Sequence, residues 1–273
     1  MNNYTTTTTT STLRNPNNNK PATGAILWEG DSLLTGAPIV AIATFKSTNR
    51  KTDNSVQTWI LCADQTPIAA NYTGADEAIC GNCPLRGIAD GNPARKLATG
   101  RACYVNVAQA PTSIFHAYKR GSYPRISAID AHEIGIGRFV RLGAYGDPAA
   151  VPARIWQALL SGASSHTAYS HQSAYQGADF KADMFMQSAD SLEMARGAWR
   201  DGNRTFRLVA SVADIDPKNE ILCPASDEFE AQKGYKKTCA QCGLCNGTRK
   251  GKVKSIAIPA HGGSKKHAIA LLK

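Results

Sequence analysis

Thr238 to Gly247 reads TCAQCGLCNG, and its Cys239, Cys242 and Cys245 recur at a strict spacing of three. Thiolates so placed let one short loop wrap a side of an iron–sulfur cubane, with the remaining corner ligated from elsewhere. Cys223, followed by proline in ILCPAS, is the candidate for that corner, since the bacterial ferredoxin run also ends in Cys-Pro. A 4Fe-4S cluster is therefore expected. The competing metal is zinc, which takes four ligands tetrahedrally, commonly from two separated C-x2-C knuckles, an arrangement that a continuous run matches less well.

A second group stands in AICGNCPLRG, with Cys80 and Cys83, joined by Cys103 in RACYVNV. Three thiolates without a fourth leave a metal with an open position for substrate or cofactor. Cys62, inside the apolar run SVQTWILCA, is either a fourth ligand or a core thiol. Radical enzymes that use S-adenosylmethionine carry a C-x3-C-x2-C loop, a spacing absent from the chain, so that cofactor has no motif in its favour.

The elements that must position these groups read as α/β. PIVAIATF (38–45) and SVQTWILCA (55–63) are β-branched runs separated by the turn chemistry of STNRKTDN, which predicts an N-terminal β-hairpin. QAPTSIFHAYKRGSYPR (109–125) reads as a helix, and its Lys119, Arg120, Tyr123 and Arg125 suit either a nucleic-acid surface or a solvated helix end. Further on, strand and helix patterns alternate: Phe139–Leu142 before the helix of Ile155, Trp156, Leu159 and Leu160; HTAYSHQ; Met184–Met186 with a polar turn at Gln187–Asp190 before a helix closed by Gly202; then Thr205–Ser211 and Ser255–Ile258. Such alternation implies parallel pairing with right-handed crossovers, hence a partial or complete β/α barrel or, alternatively, an open doubly wound sheet.

Chemistry in these architectures sits at the carboxyl ends of strands. That rule selects Arg141, Asp147 and His171 as catalytic candidates and Tyr145, Gln172, Gln187 and Ser188 as cofactor-binding candidates, with Tyr169 and Asp190 beside them. Asp147, Ser188 and Asp190 equally suit helix caps. PAHGG (259–263) sets His261 either beside a metal or in a plain turn. Zinc-protease, P-loop, hydrolase-elbow and dinucleotide motifs are all absent.

Composition narrows the setting. The Thr/Asn-rich start, residues 1–22, has little to bury and predicts a disordered tail without a secretory signal. Residues 23–220 form the expected barrel-like domain with the first cysteine group, 221–262 a basic cysteine-rich metal-binding segment, and 263–273 a basic tail. No apolar run is long enough to span a membrane, and a cytoplasmic setting follows, in which eight cysteines suit metal better than disulfides. The net charge is +10, and ten of the 31 Lys and Arg fall after Ala231, where there is no Asp or Glu, leaving 21 against 21 before it. Either this segment holds nucleic-acid phosphates or its lysines balance an anionic thiolate centre.

The ordered set QTWILC, ICGNCPLRG, CYVNVAQAP, VRLGAYGDPAAVP, FMQSAD and CPAS with TCAQCGLCNG resembles a cysteine-rich family encoded by bacteriophages and other mobile elements. The resemblance spans roughly Gly24 to Gly262. It is similar, more distantly, to radical-SAM-like partial β/α barrels, which implies a cluster at the barrel mouth from the first cysteine group and an auxiliary cluster from the second. The resemblance implies a host cytoplasm if the chain is phage-encoded, with redox or radical chemistry on an unknown substrate or contact with a host protein as expected roles; nucleic-acid binding is the alternative that the basic C-terminal segment offers.

Overall fold

A computed structural model describes residues 12–47, 55–247 and 253–272. Its N-terminal region is a meander: β1 (Gly24–Asp31) pairs antiparallel with β2 (Pro38–Thr44), and β2 with β3 (Val56–Cys62). The expected hairpin is thus β2–β3, its turn lying mostly outside the described residues, and β1 is a strand the sequence reading did not separate from its surroundings. β3 is buried along its whole length, as a strand covered on both faces must be.

The row continues in parallel. β4 (Phe139–Tyr145) pairs with β3, and β5 (Ser165–Thr167) with β4. After the single residue Ala168 comes β6 (Tyr169–Ser170), which opens a second sheet with β7 (Met186–Ala189), β8 (Thr205–Val209), β9 (Glu220–Leu222) and β10 (Ser255–Pro259). The sheet orders are β1-β2-β3-β4-β5 and β6-β7-β8-β10-β9, so the last strand inserts between its two predecessors. Ala168 joins the sheets: its carbonyl accepts from Met186 N at 3.0 Å. No closed barrel forms among the described residues, which corrects the complete-barrel expectation; β1 and β9 remain as edges.

The helices are α1 (Pro67–Thr73), α2 (Glu77–Cys80), α3 (Ala110–Lys119), α4 (Ala128–Gly135), α5 (Ala153–Leu160), α6 (Leu192–Arg200), α7 (Asp227–Lys233), α8 (Cys239–Cys242) and α9 (Lys265–Leu271). α5 and α6 occupy the connections β4–β5 and β7–β8, as parallel strands require. Trp156 and Leu159 of α5 are fully buried with Ile60, Leu142 and Phe185. Among the described residues no helix is long and apolar enough to cross a membrane.

Several boundaries move. Residues 12–22, expected in a disordered tail, form a turn in which Arg14 bridges Pro21 and Ala22 N donates to Leu13 O at 3.0 Å; residues 1–11 lie outside the described residues. β4 runs on to Tyr145, and the segment read as strand 184–186 plus polar turn is strand at 186–189, because Gln187 pairs with both β6 and β8 and Ser188 with β8. On the outer face, Arg207 of β8 and Glu220 of β9 form a buried fork, Nε to Oε1 at 2.8 Å and Nη2 to Oε2 at 2.6 Å. They reach each other across β10, where their register partners are the small Ala257 and Ser255.

Candidate functional site

In the first cysteine group, only the Cys80–Cys83 turn is built from local rules. α2 ends at Cys80, and Gly81 follows with φ +53°, where a Cβ would meet Gln172 Oε1 at 2.3 Å. Glycine there turns the chain so that Cys83 N donates to Cys80 O at 3.1 Å. Cys103 comes in from a distant loop, anchored by Ala102 N and Cys103 N donating to Leu85 O at 2.9 Å. Arg86, in the turn after Cys83, holds Asp76 at 2.6 Å and donates to Gly81 O at 3.1 Å and Gly74 O at 2.8 Å. Arg101 braces the Cys103 loop, with Nη1 to Cys103 O at 3.0 Å and Nη2 to Val105 O at 2.8 Å.

The three thiols line one cavity and lie close enough to act on one another electrostatically. Burial pushes Cys80 well above the ordinary thiol range, and the neighbouring charges of Asp76, Cys83 and Cys103 add to it. Burial also raises Cys103, with Arg101 pulling the other way. His171 Nε2 lies 3.9 Å from Cys83 Sγ and 3.2 Å from Asp190 Oδ1. Burial alone would lower the His171 pKa, but Cys83 and Asp190 carry it well above the ordinary imidazole value.

In the second group, Thr238 and Gln241 form a capping box: Thr238 Oγ1 accepts from Gln241 N at 3.3 Å, and Gln241 Oε1 from Thr238 N at 2.9 Å. That box makes Cys239–Cys242 a single helical turn, presenting both sulfurs on one side, and Gly243 ends it in the left-handed region at φ 59°. Cys223 follows β9, its N donating to Ala257 O at 2.9 Å. Cys245 O accepts from Ala168 N at 3.0 Å, and Arg204 ties the same loop through Leu244 O at 2.7 Å and Gly247 O at 3.1 Å.

All four cysteines line a cavity of about 20 Å³. Burial pushes the Cys245 thiol up to about 12, opposed by a hydrogen bond with Tyr169 and reinforced by Cys223, Cys239 and Cys242. Tyr169 Oη also accepts from Thr167 Oγ1 at 2.9 Å, and its ring packs on Phe206 with centroids 4.2 Å apart. Among the described residues, no group of three or more His, Cys, Asp or Glu side chains is placed so that it could hold a metal ion.

A cavity of about 910 Å³ connects the two, walled by the cavity-facing residues of β4 to β8 and β10. Cys80, Cys83 and Cys103 line it at one side and Cys223 and Cys239 at another. Of the strand-end candidates, Arg141, Tyr145, Asp147, Tyr169, His171, Ser188 and Asp190 all border it. Gln187 does not, because it alternates with Ser188 on β7 and faces the other way. Gln172 does not either: its Nε2 donates to Cys80 O at 2.8 Å, so it braces the first cysteine loop instead of reaching a cofactor.

Asp147 is spoken for by its neighbours. It accepts from Ala149 N at 3.0 Å, His171 N at 2.8 Å and the Ser170 hydroxyl, which makes it a positioning residue for His171; burial nonetheless raises its carboxyl. Cys62 is a core thiol at 4% exposure, its Sγ 3.3 Å from Ala75 O. The helix of residues 110–119 offers less to nucleic acid than its composition suggested: Tyr123 beyond it is buried, and Arg125 Nε donates to Glu29 at 2.6 Å. His261 borders the cavity, its ring centroid 6.0 Å from that of Tyr104.

Sequence reasoning passed over Asp76, Arg86, Arg101, Tyr104 and Arg204. The signal for three of them was present, since Arg86, Arg101 and Tyr104 stand within three residues of a candidate cysteine. Comparison of the chain with protein-family models, with curated proteins and with solved structures found no match in any of the three.

Proposed function

We propose that the chain is an iron–sulfur redox protein whose parallel strands make the wall of a partial β/α barrel. Cys80, Cys83 and Cys103 form its substrate-facing centre, and Cys223, Cys239, Cys242 and Cys245 an auxiliary one. The observation that carries this reading is that members of both thiol groups border one cavity of about 910 Å³ at the carboxyl ends of the strands. The donor chemistry fits: buried thiols that raise one another's pKa are poor anions alone, and a cationic centre reverses that sign by deprotonating them. When bound, such a centre supplies electrons and, where an iron lacks a protein ligand, a Lewis-acid position.

The chain's own residues hold and orient. His171 keeps an N–H between Asp190 and Cys83, facing the cavity, and Asp147 fixes its backbone. Tyr169 lines both the small four-cysteine cavity and the large one, and bonds to Cys245. Purification without oxygen, with iron, acid-labile sulfide and zinc measured together, tests the reading. Brown protein with sulfide that falls in a Cys80→Ala, Cys83→Ala variant supports it; colourless protein with stoichiometric zinc overturns it.

A second reading has its own observation. The four-cysteine cavity of about 20 Å³ has room for little more than a water-sized object, which suits a single zinc ion, and the chain's whole charge excess lies after Ala231. The chain would then be a nucleic-acid-binding protein with a structural metal. Binding that weakens linearly on a log–log salt plot supports this second reading, and a flat response dismisses it.

A further inference from the structure

The charges around the large cavity do not cancel. Each of its four carboxylates is engaged: Asp76 with Arg86, Asp147 with two backbone N–H groups and a hydroxyl, Asp190 with His171, and Glu230 with Lys236. Of the cavity's cations, Arg101, Arg141 and Lys237 have no carboxylate partner among the described residues. Arg101 spends its fork on the Cys103 loop, and Lys237 is exposed.

Arg141 is different. It stands on the cavity face of β4, two residues before Gly143, which adds no side chain to the floor beside it. One end of its guanidinium meets the Tyr104 hydroxyl, and the plane sits 5.8 Å from the Tyr104 ring centroid. The rest of its N–H fork has no acceptor among the described residues. Tyr104, 52% exposed, and His261 put two rings, tilted by 34°, at the same place. A planar fork with unfilled donors beside flat rings is how proteins hold a carboxylate or phosphate carried on a ring.

We infer that the cavity binds a small planar molecule bearing a phosphate or carboxylate, with Arg141 taking the oxyanion and Tyr104 and His261 flanking the ring. This rests on the proposed function only in treating the cavity as the substrate site. Calorimetric titration of the full chain with matched pairs tests it: adenosine 5′-monophosphate against adenosine, and nicotinate against nicotinamide, with inorganic phosphate alone as a further probe. At least one charged member should bind about ten- to a hundredfold tighter than its uncharged partner, as charge-assisted hydrogen bonds require. Arg141→Gln should remove that preference, Arg141→Lys should restore only part of it, and Tyr104→Leu should weaken both members of the favoured pair.

Equal binding of charged and uncharged members, or a preference that survives Arg141→Gln, would overturn the inference. So would inorganic phosphate binding as tightly as the nucleotide and indifferent to Arg141, the mark of surface lysines. Circular dichroism of each variant guards against misfolding, and Arg141→Lys keeps the test sound if the glutamine variant is unstable. Iron and sulfide measured on the same samples separate the two ideas. Cluster-free protein that still discriminates keeps the anion site and removes the redox assignment, while loaded protein that does not discriminate does the reverse.

Discussion

The two cysteine groups differ in what surrounds the sulfur. In the first, three thiols from two distant segments are held by polar side chains inside the fold, with Arg86, Arg101 and Gln172 bonding carbonyls at and beside the cysteines, and the group opens onto the large cavity. In the second, four thiols come mostly from one short turn that caps itself, and they line a small space beside Tyr169, with Cys223 and Cys239 also bordering the large cavity. Local sequence shapes the Cys239–Cys242 turn, with Arg204 anchoring the loop after it, whereas the first group brings Cys103 to Cys80 and Cys83 only through long-range contacts. On the proposed reading, three thiols open to a cavity suit exchange with a substrate, and four thiols around a small space suit relay or structure.

Removing the anchor of the first group should have the largest effect. Arg86→Met leaves Asp76, whose side chain is 4% exposed, buried without its cation, and should cost about 3 kcal/mol, the scale of a broken buried pair. Denaturant unfolding measures that loss, and metal analysis should show the first centre depleted before the second. Adding Asp76→Leu should return part of the stability, because the uncompensated charge goes with it.

The matching change in the second group is Arg204→Met. Three backbone carbonyls, of Leu244, Gly247 and Lys254, lose a buried donor, which should cost about 2 kcal/mol at the charged-hydrogen-bond scale and empty the second centre while sparing the first. Depletion of both centres together would mean that the contrast between the groups is wrong.

Tyr169→Phe asks for less. The ring and its packing on Phe206 remain, so metal and sulfide content should hold, but the hydrogen bond with Cys245 is gone. A donor to a cluster sulfur favours the reduced, more negative state, so its removal should lower the second centre's potential by about 40 mV, equivalent to roughly 1 kcal/mol for one electron. Electrochemical titration reads the shift; an unchanged potential would deny Tyr169 its tuning role.

Cys62 gives the smallest and most local test. Burial pushes its thiol up to about 12, so at pH 8 in the native state it should resist alkylation and react only after unfolding, as mass spectrometry would show. The neutral thiol is the favoured form in the fold. Its contribution to stability is therefore whole below the ordinary value of 9.0 and is lost as the pH climbs towards about 12. Cys62→Ala should leave metal content unchanged, whereas loss of metal would return Cys62 to the ligand set.

Much of this was legible in advance where the physics is local. Thr238 and Gln241 bracket a helical turn by themselves, Gly81 marks the bend between Cys80 and Cys83, and the β-branched runs at 38–45 and 55–63 become paired strands. Gln172 and Gln187 show the limit. Both are polar residues at strand ends, yet one turns to the Cys80 carbonyl and the other faces away from the cavity, while Ser188 beside it faces in. A period-2 strand decides facing by register, and register depends on partners that sequence does not name.

The amino-acid sequence by itself determined the thiol-rich chemistry, the spacing of Cys239, Cys242 and Cys245, the alternation of strands and helices, and the charge excess after Ala231. Only the tertiary structure decided that Cys103 meets Cys80, that β10 slips between β8 and β9, and that Arg141 faces the cavity without a carboxylate partner among the described residues. The reason is range: caps and turns are settled by hydrogen bonds a few residues long, whereas contacts across a sheet exist only after the whole chain has chosen its strand order.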